Sequence, residues 1–468
     1  MRLLLAAVIV PILGAFLLPL LGKLSPKLRN FSALFLALVP LVSVLLLIYR
    51  GQTITINFPL PLGANFALTA DGLALFMAAV SSFISAIIVF YSFDYISHYD
   101  NQNEYYLMVL LFLGSMMGLV FSANLILLYI FWEMTALSSW RLIGFFREKY
   151  QILKADKSFL VTVTGALLML AGFIMVYQQA GSFDLAVVRG QALPGLAILF
   201  ILAGILSKSA TLPFQTWLPD AGVAPSPVTA LLHAAVLVKI GVYVFARLFV
   251  VTWPLPIDWQ VLVMWIALVS ALVSAGAALI DKDLKRIIAY STVSQIGFIF
   301  LGLASGTAIG VAGALLYILM HGLAKGGLFL CAGIVEQNAK TKRIDELGGL
   351  AKTMPWTAFA FLFCSFSIMG IPPFGGFFSK YMVIAGALQA KQPVVALLFI
   401  VAAFLTVLYL FRLFNAVFMG EAKKTPAKES SVMMIASVVI LAILSLAGGV
   451  FINYPADLVQ SVVRGMLP

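Results

Sequence analysis

Charge is what this sequence most lacks. Only 10% of its 468 residues are Asp, Glu, Lys or Arg, against roughly 25% in an ordinary soluble domain. A chain so poor in charge cannot cover a globular surface that faces water. Cysteine is nearly absent too: Cys331 and Cys364 each sit inside an apolar stretch with no CxxC neighbour, which excludes a disulfide framework, a zinc site and an iron–sulfur cluster as readings. No nucleotide-binding loop and no pair of haem ligands is found, so electrons are not expected to pass through this chain, and no cofactor is expected in it. Acids are fewer than bases, 18 against 29, for a net charge of +11. In a soluble protein that balance would suggest nucleic acid. Here the bases lie mainly in loops between apolar runs, so orientation in a membrane explains them better and no nucleic-acid partner is expected.

What is present is hydrophobic: 63% of the residues, in continuous runs of about 20. Only helices and closed barrels satisfy backbone groups in hydrocarbon, and continuous rather than alternating runs mean helices. The pattern predicts an all-α integral membrane protein of about fourteen transmembrane helices, over 3–21, 30–49, 71–97, 104–122, 124–146, 158–178, 193–216, 227–246, 257–280, 287–304, 307–336, 354–385, 392–419 and 430–453. The first is read as a retained helix rather than a signal peptide, because its apolar run is long and lacks a small-residue cleavage site. Between the second and third, Thr53 to Phe58 and Asn65 to Thr69 alternate around Pro59, Pro61 and Gly63, which predicts a surface hairpin.

Basic residues test the count, because cytoplasmic loops carry the excess. Loops after odd-numbered spans hold seventeen, from Lys23 to Lys428 and including Lys423 and Lys424; loops after even-numbered spans and the two termini hold six. One missed helix would scramble that segregation. Fourteen spans with both termini on the non-cytoplasmic side of a plasma membrane are therefore expected.

Six bases remain inside spans. Arg141 and Arg412 lie near span ends, as do the acids Asp71 and Asp94, and the two arginines are expected to snorkel to the interface. Lys208, Lys239, Lys325 and Lys380 are central, and Glu133 is the one central acid. A central charge costs about 2.5 to 3.5 kcal/mol on insertion scales, so such residues usually face a wet interior and act on ions. Lysine and glutamate suit proton relay, since an ammonium and a carboxyl taken out of water each favour the neutral form. Glu133 could instead make a static ion pair with one lysine. One acid for four lysines leaves a surplus that packing does not require. His321 and Lys325 are four apart and share a helix face, so a proton could pass between them; His233 and Lys239, six apart, need not face each other.

Prolines and glycines interrupt two spans. Pro213 and Pro219 follow Lys208, while Gly370, Pro372, Pro373, Gly375 and Gly376 precede Lys380. Each proline removes a backbone hydrogen bond. Broken helices at corresponding places in two halves point to an ion pathway. Here they fall in spans seven and twelve, five apart, which predicts two inverted five-helix repeats. The implied division is 1–103 (three spans and the hairpin), 104–250 and 251–420 (the repeats) and 421–468 (the last span and tail).

Ser207 to Val244, SKSATLPFQTWLPDAGVAPSPVTALLHAAVLVKIGVYV, closely resembles the signature of the antiporter-like membrane subunits shared by respiratory complex I, Mrp-type Na+/H+ antiporters and membrane-bound hydrogenases. Phe131-Trp132-Glu133, Asp283 to Phe298 (DLKRIIAYSTVSQIGF), His321 to Leu330 (HGLAKGGLFL) and Gly370 to Lys380 (GIPPFGGFFSK) extend the resemblance over about residues 70 to 420. It implies Glu133 and Lys208 as paired modulators, Lys239 and Lys325 with His321 on a central hydrophilic axis, and Lys380 as the exit lysine. It also implies other membrane subunits as partners, and protons or sodium ions as cargo. Quinone, iron–sulfur or nickel–iron sites would lie in partner subunits. Some members carry glutamate at the Lys380 position, so Lys380→Glu is expected to retain some transport. Trp140-Arg141 and Tyr381 depart from the usual family residues. A redox-driven complex is the leading expectation and an Mrp antiporter without redox chemistry the alternative.

Overall fold

The computed structural model describes residues 1–59, 65–421 and 428–467. Pro61 and Gly63 of the hairpin, and Lys423 and Lys424 of the basic tally, lie outside the described residues. Helices α1 (Arg2–Leu24), α2 (Pro26–Arg50), α3 (Gly72–Tyr95), α4 (Gln102–Phe121), α5 (Leu125–Ile143), α6 (Lys149–Ala180) and α7 (Gly195–Lys208) follow in order. The eighth span, α8, is one helical run over Ser226–Thr252. Then come α9 (Ile257–Ile280), α10 (Leu284–Ala304), α11 (Ala308–Ala339), α12 (Pro355–Met369), α13 (Gly375–Gln389), α14 (Pro393–Phe418), α15 (Val432–Val450) and α16 (Asn453–Met466). Among the described residues, twelve helices are long and apolar enough to cross a bilayer. Spans seven and twelve are broken helices: α7 stops before a short turn of helix at Trp217–Asp220, and α12 stops before α13. The hairpin pairs Ile54–Pro59 antiparallel with Asn65–Ala70.

Side chains mark where the helices begin. Asp71 accepts from Ala74 N at 3.0 Å at the start of α3, Asn124 from Ile126 N at 2.9 Å at α5, and Asp283 from Lys285 N at 2.9 Å at α10, which satisfies donors that a helix start leaves open. Gly51 and Gly181, in the left-handed region, end α2 and α6.

The buried centre consists of α8, α10 and α11, each about 94% buried over its most apolar stretch, whereas α1, α6, α14 and α15 are 39% buried and turn apolar faces outward. That contrast decides where charge can be functional, because the central helices are shielded from lipid by protein.

Several boundaries differ from the sequence reading. The sixth helix begins at Lys149 rather than 158. The eighth runs on to Thr252, so Arg247, expected in a loop, is 7% exposed within the helix and bonds both oxygens of Asp71. Arg29 and Lys285, likewise expected in loops, are buried. The tail after 453 is the helix α16, whose Val459, Val462, Val463 and Met466 are buried. An amphipathic helix of this length has too few apolar residues to register as a span. Neither of the arginines near span ends snorkels alone: Arg141 pairs with Glu104, and Arg412 donates to Asp281 O at 2.7 Å and Ala278 O at 3.3 Å, where a cation complements a helix C-terminus.

Candidate ion pathway

Lys208 ends α7, and the chain then breaks. Thr211 N donates to Leu206 O (2.9 Å), Ala210 N to Ser207 O (3.3 Å) and Phe214 N to Thr211 O (2.8 Å). The twelfth span repeats these bonds 160 residues later: Ile371 N to Phe366 O (3.1 Å), Gly370 N to Ser367 O (3.2 Å) and Phe374 N to Ile371 O (3.0 Å). Ala210 and Gly370 occupy positive φ at the same place in each. Freed backbone groups find partners inside the protein. Leu212 N donates to Ser270 Oγ at 2.9 Å, and Trp217 Nε1 to Ser207 O at 2.9 Å, as irregular backbone at membrane depth requires.

Below the first break, Asp220 accepts from Lys157 (2.8 Å), Lys154 (3.0 Å) and Arg286 (3.0 Å). Burial alone would raise its carboxyl. The hydrogen bonds and charges of Lys157 and Lys154 outweigh burial and hold it below the ordinary 3.8. A depressed carboxylate stabilises fully above that ordinary value and is lost as pH falls through the folded one, so the tie holding the turn is intact at neutral pH.

Lys208, Lys239, Lys325, His233 and His321 are fully buried, and Lys380 is 4% exposed. Their partners differ from the expected ones. Lys208 Nζ donates to Trp132 O at 3.2 Å and lies 5.2 Å from the Trp132 ring centre; it makes no ion pair with Glu133. Neighbours on a helix point about 100° apart, so α5, in turning Trp132 inward, turns Glu133 toward its half-buried side beside exposed Ile130 and Leu137. Glu133 is therefore half-buried at the flank of α5 rather than at the bundle's centre, although its Oε1 is buried without a hydrogen bond and its charge still acts on Lys208.

His321 does not bond Lys325. Its Nδ1 meets Lys239 Nζ at 2.7 Å across two helices. Lys325 Nζ turns to Ser291 Oγ (2.7 Å) and Ile288 O (3.1 Å). Ser291 Oγ and Tyr409 OH are 2.7 Å apart, Gln295 Nε2 donates to Tyr409 OH (3.2 Å) and Thr406 Oγ1 (3.1 Å), and Tyr317 OH donates to Gln295 Oε1 (2.6 Å). The Tyr317 ring lies 5.8 Å from Lys380 Nζ, which also sits 4.6 Å from the Phe298 ring and donates to Ile368 O at 2.7 Å. A hydrogen-bonded row thus runs from Lys325 to the ring beside Lys380. The sequence reading missed Ser291, Gln295, Tyr317, Thr406 and Tyr409. Ser291 and Gln295, four apart and so on one face of the tenth span, were the available signal.

His233 stands apart, its ring 4.3 Å from that of Phe329 and both its nitrogens unbonded. It lies in a π-helical turn, Leu231–Ala235, with a second π segment over Ala246–Thr252. Such bulges are frequent at functional sites, and nothing in the residue pattern announced them. His321 Nε2, Ser294 Oγ and Ser367 Oγ are likewise buried and unbonded. Buried polar groups of this kind take bound water as partner. Among the described residues no three His, Cys, Asp or Glu side chains gather as metal ligands would.

Residues 122–406 match the family described as NADH:quinone oxidoreductase/Mrp antiporter, TM. The chain belongs to that family. Residues 59–106 match a further one described as NADH-Ubiquinone oxidoreductase (complex I), chain 5 N-terminus. A Na(+)/H(+) antiporter subunit from Alkalihalophilus pseudofirmus is 34% identical over 99% of this chain and 63% of its own. Another, from Staphylococcus haemolyticus, is 34% identical over 99% and 62%. The chain therefore spans less than two thirds of these curated relatives. Its fold matches the Mrp complex from Dietzia sp. DQ12-45-1b (TM-score 0.91, 21% identity, 100% of this chain and 98% of that one). It also matches respiratory complex I from Thermus thermophilus (0.86, 24%, 99% and 98%). Membership of this family thus coincides with a bundle that buries Lys208, Lys239, Lys325 and Lys380.

Proposed function

We propose that this chain is an antiporter-like subunit of a multisubunit Mrp-type cation/proton antiporter and moves protons along its buried lysines. The observation that carries the reading is that Lys208, Lys239, Lys325 and Lys380, none more than 4% exposed, bond carbonyls, a hydroxyl and an imidazole, and among the described residues none has a carboxylate within ion-pair distance. Buried charge without a counter-charge is strongly destabilising, so a packing role does not explain Lys239, Lys325 and Lys380; Lys208 alone feels a nearby acid, Glu133, which stands beyond ion-pair distance. A lysine whose acceptors are neutral can give up its proton, and the row beginning at Lys325 offers the hydroxyls of Ser291 and Tyr409, which accept one proton and release another, while the Gln295 amide fixes Tyr409 and Tyr317 on either side of it. Lys208, with Glu133 at the flank of α5, would modulate the row, and Lys380 would hand protons to the far side.

The Mrp reading is preferred to a redox-driven complex. Relatives matched over 99% of the chain are named Na(+)/H(+) antiporter subunits, while complex I matches in fold at 24% identity. In a redox-driven complex, quinone, iron–sulfur or nickel–iron sites would belong to partner subunits. The 160-residue correspondence of the two breaks supports inverted repeats at 104–250 and 251–420.

Lys208→Ala and Glu133→Gln are expected to lower cation/proton exchange by the intact complex in membrane vesicles, on the order of tenfold or more, with assembly retained. Exchange at the unmodified rate in both variants would exclude their role. Orientation is proposed from the basic loops, with the basic face cytoplasmic. A cysteine replacing exposed Lys282 should react with an impermeant thiol reagent from the cytoplasmic side only, and one replacing Lys391 from the other side only. Reaction of both from one side refutes the arrangement of spans ten to twelve.

A further inference from the structure

At the basic face a cavity of about 160 Å³ opens between α3, α8, α10 and α11, lined by Tyr95, Tyr99, Ala224, Lys285, Glu336 and Lys340. Lys285 is 1% exposed. Its Nζ donates to Ala224 O at 2.8 Å and to Glu336 Oε2 at 2.9 Å. Glu336 keeps 30% of its side chain exposed and also accepts from Ser226 Oγ at 3.4 Å. Three helices meet on this carboxylate: α10, which carries Ser291; α11, which carries Lys325 and His321; and α8, which carries His233 and Lys239.

The contact continues inward. Gly333 lies three residues before Glu336 on α11, and a Cβ there would stand 2.5 Å from Ser226 Cβ and 2.8 Å from Tyr91 OH, so α8 and α11 touch where the carboxylate leads in. Thr229 follows on α8, its Oγ1 donating to Ser226 O at 2.9 Å. Next comes His233, whose two unbonded ring nitrogens have no other assigned use. The charged side chains acting on His233 are Lys325 and Lys285, and Lys285 is the one that holds Glu336.

We propose that Glu336, held by Lys285 in the basic-face cavity, is the proton-accepting mouth of the pathway and passes protons along the Ser226–Thr229 edge of α8 to His233. The carboxylate takes a proton from a hydrated proton in the cavity and becomes the neutral acid. That proton moves on to a ring nitrogen of His233 through the hydroxyls, with water bridging the gaps, and the carboxylate is restored to Lys285. The cargo is a proton rather than an alkali cation: Oε2 already faces an ammonium at 2.9 Å, which repels a second cation, whereas a proton needs only a lone pair.

The inference rests on the reading of the buried lysines as a proton path, and the experiment separates the two. Vesicles containing the whole complex, with the basic face outward, are assayed for exchange while the bath pH is varied, for the unmodified protein, Glu336→Gln, Glu336→Asp and Lys325→Ala. Glu336→Gln is expected to exchange about tenfold more slowly at neutral pH and to recover as the bath is acidified, Glu336→Asp to keep most of the rate, and Lys325→Ala to stay inactive at every pH. Glu336→Gln with the unmodified rate and pH profile overturns the mouth, as does a loss that neither acid nor aspartate restores. Normal exchange by Lys325→Ala instead overturns the pathway reading itself. Should Glu336→Gln not assemble, Lys340→Cys decides. A bulky impermeant thiol reagent added to the bath is expected to block exchange, and full modification without block refutes the proposal.

Discussion

Lys380→Gln is expected to cut ion transport by the intact complex on the order of 100-fold while leaving its amount in the membrane unchanged. The Lys380 ammonium donates to Ile368 O on the last turn of α12 at 2.7 Å, and so closes the break from the α13 side. A glutamine amide can donate to the same carbonyl but cannot carry a charge. The rings of Phe298 and Tyr317, 4.6 and 5.8 Å from Nζ, present electron-rich faces to a cation. That surrounding changes the expectation for glutamate. A carboxylate here would meet a carbonyl oxygen and two ring faces, all repulsive, so Lys380→Glu should transport no better than Lys380→Gln, despite family members that use glutamate at this position. The measurement is exchange in vesicles normalised to assembled complex. Transport by Lys380→Gln at the unmodified rate removes Lys380 from the path.

Much of this architecture is legible in the residues because lipid enforces it. Helices must run through hydrocarbon, so the predicted 257–280 coincides with Ile257–Ile280, and Pro213, Gly370, Pro372 and Pro373 fall on the breaks before Trp217 and Gly375. Arg247 shows where that logic stops. A lone arginine reads as a loop residue, yet it closes on Asp71, 176 positions away, and no local pattern encodes that partner. The helix α16 escaped because its apolar residues form one face rather than a run.

The candidate site was half legible for a related reason. Expensive charges advertise themselves, and Lys208, Lys239, Lys325, Lys380, His233 and His321 are all buried in the bundle. Who bonds whom depends on helix rotation, which sequence spacing does not fix between helices. His321 and Lys325 share a face, yet one meets Lys239 on α8 and the other Ser291 on α10, because α11 lies between those helices. Glu133 lies farther out than expected for the same reason: its neighbour Trp132 takes the inward position, and the Glu133 charge reaches Lys208 without an ion pair. The hydroxyl row through Ser291, Tyr409, Gln295 and Tyr317 uses residues too common in membrane helices to stand out singly.

Gly449→Ala is expected to cost more than the other glycine-to-alanine change in α15, Gly448→Ala. There α15 crosses the break of span twelve so closely that a Cβ on Gly449 would lie 1.9 Å from Pro373 O, 2.4 Å from Phe374 C and 2.5 Å from Gly375 N. All three atoms are backbone and cannot rotate away. Small residues let membrane helices approach in this manner, and overpacking ordinarily costs about 1 to 3 kcal/mol even where side chains can shift. Either α15 moves off or the break is squeezed, and Lys380 loses its place at Ile368 O. Two neighbouring cases set the scale. Gly448→Ala meets only the flexible end of Met320, at 2.7 Å, and should be mild. Gly276→Ala on α9 meets nothing within 4 Å and should stabilise, by up to about 1 kcal/mol of helix propensity. Thermal inactivation of exchange in vesicles, with the yield of assembled complex, should therefore rank Gly276→Ala above the unmodified protein, then Gly448→Ala, with Gly449→Ala far below. If Gly449→Ala matches Gly276→Ala in yield and transport, α15 does not hold the break, and the shape of span twelve must come from its own prolines and from α11.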